Sequence, residues 1–146
     1  MAYLSAVLPG TWKLVSRTDC NHDGERRVEP SLGEDPVALL FYDRSGNFAA
    51  QFMKKDRSSP LIEVAASASN NSRARGGYDA YFGTYTINEA EKTVTQRLVG
   101  ALSEENVGLV VTRSMVVEGD TLTIKLETTT ADGEAVIRTL IWSRAS

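Results

Sequence analysis

The chain has 146 residues, 42% hydrophobic and 8% aromatic, with 16 Lys and Arg against 19 Asp and Glu for a net charge of −3. That length suits one domain with a real core, so a single domain over 1–146 is expected, and the acidic balance disfavours a nucleic-acid binder. One cysteine, Cys20, excludes a disulfide or CxxC site within the chain, and a sole histidine, His22, leaves too few nitrogen and sulfur ligands for a conventional zinc, haem or copper site.

No Gly-x-Ser-x-Gly, phosphate loop or dinucleotide fingerprint occurs, so neither a metal nor an organic cofactor is expected. No apolar run approaches the ~18 to 20 residues that cross a bilayer. The first eight residues lack a basic region and a cleavage pattern. The expectation is a cytoplasmic protein with neither a membrane nor a nucleic acid as partner.

Along the chain the hydrophobic period is two rather than 3.6. Strands are expected at 11–18, 37–42, 47–53, 81–87, 93–99, 109–117, 121–128 and 134–143. The clearest is the last but one, where Leu122, Ile124 and Leu126 share a face. Asp43-Arg44-Ser45-Gly46, Asn88-Glu89-Ala90-Glu91, Glu118-Gly119-Asp120 and Asp132-Gly133 are connections short enough for antiparallel neighbours. Eight such strands can stack as a sandwich or close into an up-and-down barrel; sequential hairpins favour the all-β, eight-stranded antiparallel barrel, whose closure removes exposed edges. One connection is long. Between the third and fourth strands, 54–78 carries no strand pattern; 60–66 has the composition of a short helix with Pro60 in its first turn. The segment is either a lid over the barrel mouth or a plain excursion.

Gly10-Thr11-Trp12 opens the first strand. Gly33-Glu34-Asp35-Pro36-Val37, Phe41-Tyr42-Asp43-Arg44-Ser45-Gly46 and Tyr81-Phe82-Gly83-Thr84-Tyr85 follow, then Gly119-Asp120-Thr121-Leu122-Thr123 and the closing Arg138-Thr139-Leu140-Ile141-Trp142-Ser143-Arg144. In order and spacing these resemble the bacterial and fungal lipocalin-like domain family from about Leu8 to Arg144. The resemblance implies a barrel with a central pocket for a small, mostly apolar molecule, in a group whose relatives serve as carriers or as cofactor-independent enzymes. Many members carry a histidine in the strand matching 93–99, where this chain has Gln96 and Arg97. Histidine-based catalysis is therefore not expected.

Strand phase nominates interior residues. Trp12 and Leu14 share a face with Ser16 and Thr18, opposite Lys13 and Arg17; Val94, Gln96 and Leu98 share another. Tyr81, Tyr85 and Ile87 align with Gly83, where a ligand or another backbone can come close. Trp12 is expected to close the barrel floor with Arg138 or Arg144 across its ring. Arg113 is the most informative polar residue, because Leu109, Val111, Met115 and Val117 share its face. A buried guanidinium needs a partner. Two kinds fit: a carboxylate, phenolate or carbonyl on a ligand, or a structural pair within the protein.

Tyr81 and Tyr85 can turn hydroxyls to a ligand or act as proton donors, or be core aromatics with rim partners; Gln96 can orient a ligand carbonyl or be a satisfied interior amide. Glu34 and Asp35, adjacent on an extended segment, point apart and read as a turn. His22, in Asn21-His22-Asp23-Gly24, reads as solvated. The functional expectation is a barrel that binds a small hydrophobic or aromatic molecule through Tyr81, Tyr85, Gln96 and Arg113, with Arg113 on its polar end. The alternative is a cofactor-independent isomerase, cyclase, hydratase or lyase acting in the same pocket. No residue pair has catalytic spacing, so no catalytic residue is assigned.

Overall fold

The computed structural model describes residues 3–58, 74–130 and 132–146. A four-residue helix, α1 (Leu4–Val7), leads into nine strands: β1 (Gly10–Asn21), β2 (Arg26–Arg27), β3 (Val37–Tyr42), β4 (Asn47–Met53), β5 (Tyr78–Asn88), β6 (Thr93–Ala101), β7 (Val110–Glu118), β8 (Thr121–Thr129) and β9 (Ala135–Arg144). From β3 to β9 each strand pairs antiparallel with the next, and β1 closes the ring by pairing with both β3 and β9. The eight long strands form the expected up-and-down barrel. β2 and α1 are additions that the sequence pattern did not disclose; β2 adds to the far end of β1 through Asp19↔Arg27 and Cys20↔Arg26. The helix expected at 60–66 lies outside the described residues, as does most of the segment read as a lid or an excursion.

The alternation that marks half-buried strands is realised almost without exception. β3 turns Ala38, Leu40 and Tyr42 inward and leaves Val37, Leu39 and Phe41 outside; β4 buries Phe48, Ala50 and Phe52. β7 buries Val111, Arg113 and Met115 while Val110, Thr112, Ser114 and Val116 face solvent. The hairpin between β3 and β4 shows why its register is fixed. Asp43 accepts the backbone N–H groups of Ser45 and Asn47 at 2.9 and 2.8 Å, and Gly46 adopts the left-handed φ of 91° that closes the turn.

β1 departs from the expected phase. Its register against β9 shifts between Leu14 and Ser16, a β-bulge that leaves Val15 exposed and exchanges the two faces beyond it. Trp12 and Leu14 point inward as expected, but Arg17 and Asp19, not Ser16 and Thr18, form the inner face of the second half. The placement of Arg17 on the outer face is thereby corrected.

A second bulge, between Phe82 and Gly83, brings β5 hard against β6. A Cβ at Gly83 would fall 1.8 Å from the Arg97 carbonyl oxygen, so the close approach expected there is made by another backbone. Gly83→Ala must push two strands apart, and overpacking of this kind costs about 1 to 3 kcal/mol or more. Denaturant unfolding is expected to show that loss, and a variant of unchanged stability would refute the contact. Outside, Phe41, Ala49, Phe82 and Gly100 fall in one cross-strand row, with the half-exposed Phe82 ring lying over Gly100.

Candidate functional site: a cavity lined by arginines

One end of the barrel is shut. Trp12 is fully buried, its indole N–H donates to the Leu8 carbonyl at 3.0 Å, and the Arg144 guanidinium lies 4.3 Å from its ring centroid. Of the two arginines expected over that ring, Arg144 is the one that lies there. It also donates to the carbonyls of Pro9 and Val7, which fastens the N-terminal segment across the floor.

Above this floor lies a cavity of about 480 Å³, within the range typical of small-molecule sites. It extends from a rim formed by residues 27–32, 129–130 and 132–134 down to Tyr42, Gln96 and Trp142. Leu40, Ala50, Phe52, Ile124, Leu126 and Leu140 give it an apolar wall, and Phe52 meets Trp142 edge to face at 5.8 Å. At the rim, Glu134 holds Arg27 at 2.6 Å and Asn21 at 3.0 Å; Glu29 accepts from the Ser31 and Leu32 backbones at 2.7 and 3.2 Å.

Among the described residues, three buried arginines enter this wall: Arg17, Arg113 and Arg138. Arg138 is answered in full: it makes a bidentate pair with Asp19, its direct cross-strand neighbour, at 2.8 and 2.9 Å, with both side chains buried. Arg17 reaches Glu29 at 3.6 Å. Burial, reinforced by the nearby Arg138 charge, lowers the Arg17 pKa to about 10, so the group remains cationic at neutral pH.

Arg113 is different. It is 8% exposed, lines the cavity as its strand phase predicts, and has no carboxylate partner among the described residues. Its hydrogen bond is a long one, 3.4 Å to the carbonyl of Thr112. Burial is the main influence on its pKa and lowers it; Tyr81 and Tyr42 act the other way, and Arg138 adds a smaller depression. A second donor in the wall is also unmet, for the Trp142 indole N–H has no acceptor among the described residues.

The other nominated residues divide. Gln96 lines the cavity, and its Oε1 accepts the Tyr42 hydroxyl at 2.8 Å. Burial raises the Tyr42 pKa well above its ordinary value, which keeps that phenol a neutral donor. Tyr81 lines the cavity and lies close enough to act on the charges of both Arg17 and Arg113. Tyr85 does not line it. Its ring packs edge to face on Tyr42 at 4.9 Å, and its hydroxyl donates to the Asp43 carbonyl at the β3–β4 turn. It packs in the wall near the closed end of the barrel, away from the cavity lining. His22 is exposed, and Glu34 and Asp35 pair with Arg26 and Lys55 on the surface, as the turn readings expected.

Strand phase missed Arg17 and Asp19 because the bulge inverted it, and left Arg138 undecided because both faces of β9 are largely apolar. Among the described residues no cluster of three or more His, Cys, Asp or Glu side chains is placed to hold a metal, and no helix is long and apolar enough to cross a membrane.

No curated protein gives a significant match to the sequence. The family comparison does: the pattern of the lipocalin-like domain runs through residues 9–145, from the floor segment before Trp12 to the residue after Arg144. With the closed eight-strand barrel and its central cavity, that match places the chain in the lipocalin-like domain family.

Proposed function

We propose that this barrel binds a small hydrophobic or aromatic molecule in its interior and holds the molecule's polar end with Arg113. The observation that carries the reading is a buried guanidinium, facing a cavity with an apolar wall, for which the described part of the protein provides no counterion. Such a group is costly to bury unless something arrives to pair with it. Elsewhere in the wall the pairing is internal, as in Asp19–Arg138, so the exception at Arg113 suits a ligand.

The neutral fluorophore 6-propionyl-2-dimethylaminonaphthalene, aromatic with a carbonyl end, tests this reading. It is expected to bind one per chain with blue-shifted emission. A hydrogen bond to a charged group is worth about 1.5 to 3 kcal/mol, so Arg113→Met should weaken the complex roughly ten- to a hundredfold. Absence of saturable binding, or equal affinity in the variant, would overturn the proposal.

A second reading, cofactor-independent chemistry in the same cavity, is supported by Tyr81, a phenol within electrostatic reach of two guanidinium groups. Such a setting favours developing negative charge on the phenol or on a nearby substrate oxygen.

A further inference from the structure

We infer that the ligand's polar end is an anion: an organic monoanion such as a carboxylate, sulfonate or enolate seated on Arg113, with its apolar body against Leu40, Phe52 and Trp142. This rests on the binding reading above and specifies the chemical class of the ligand.

A buried charge in a low-dielectric space needs a counter-charge. Of the three buried guanidinium groups among the described residues, Arg138 has Asp19 and Arg17 has Glu29. Among the described residues, the groups that act on the Arg113 charge are the phenols Tyr81 and Tyr42 and the cation of Arg138, with no carboxylate among them. Asp79, the other buried carboxylate of the wall, has interactions of its own and is not among the charges acting on Arg113.

A neutral carbonyl would satisfy one N–H of Arg113 and leave its charge uncompensated. An anion supplies acceptor and counter-charge together, and a planar carboxylate matches the fork of the guanidinium. A cationic ligand would add positive charge beside Arg113, which already faces the Arg138 cation.

Two dyes that differ by one sulfonate separate the possibilities: 1-anilinonaphthalene-8-sulfonate and neutral N-phenyl-1-naphthylamine, each titrated by fluorescence against the intact chain. The sulfonate is expected to bind about tenfold more tightly or better, as a charge-assisted contact implies. That preference should fall to within about twofold in Arg113→Met and in Arg113→Gln, and should survive in part in Arg113→Lys, which keeps the charge without the fork. Equal or tighter binding of the neutral dye by the unaltered protein would overturn the assignment. So would a sulfonate preference that persists in the Met and Gln variants, since the charge would then be read elsewhere. If the propionyl-naphthalene binds and the sulfonate gains nothing, only the anionic assignment falls; if no dye enters the barrel, the binding reading falls with it.

Discussion

Asp19→Ala is expected to cost the barrel about 3 to 5 kcal/mol, the usual penalty for removing one partner of a buried ion pair. The loss comes less from the attraction given up than from the charge left behind. Arg138 is 3% exposed and would face both Arg17 and Arg113 with no carboxylate in its fork. The double variant Asp19→Ala/Arg138→Met removes that charge and fills part of its volume, so most of the lost stability should return. Denaturant unfolding of the three proteins measures both steps. A single variant within about 1 kcal/mol of the parent would mean that the pair is solvated and the interior wet.

Trp12→Ala is expected to cost a similar ~3 to 5 kcal/mol, for a different reason: it opens the floor. Trp12 has no exposed surface, and its loss removes a large aromatic volume, the donor to the Leu8 carbonyl and the face beneath Arg144 together. Arg144 would keep its bonds to Pro9 and Val7 but lose the ring, worth about 0.5 to 2 kcal/mol within that total. Trp12→Phe retains a ring and should lose distinctly less. Thermal or denaturant unfolding decides, and a loss for Trp12→Ala below about 1 kcal/mol would show that the floor closes without it.

These expectations rest on side chains of unequal legibility in the sequence. Arg113 was legible because the four positions alternating around it, Leu109, Val111, Met115 and Val117, are the bulkier apolar set, while Thr112 and Ser114 suit the solvent side. Trp12 was legible from its place after Gly10, and Gly83 from its place between aromatic residues on one strand face. Arg17 and Asp19 were not, because one extra residue at a bulge inverts every side chain beyond it, and no residue type in Leu14-Val15-Ser16 marks the insertion. Tyr85 shared the correct face with Tyr81 yet serves the wall, since facing inward does not fix how far along the barrel axis a side chain lies. β2, with two residues and no alternation to display, gave pattern reasoning nothing to detect.

Whether a molecule enters this barrel and gives its polar end to Arg113 is decided by a crystal structure of the complex with 6-propionyl-2-dimethylaminonaphthalene. The naphthalene is expected against Leu40, Phe52 and Trp142, with its carbonyl oxygen about 2.9 Å from a guanidinium nitrogen of Arg113. A fluorophore seated instead on the outer row of Phe41 and Phe82, or inside the barrel with its carbonyl turned away from Arg113, would contradict it.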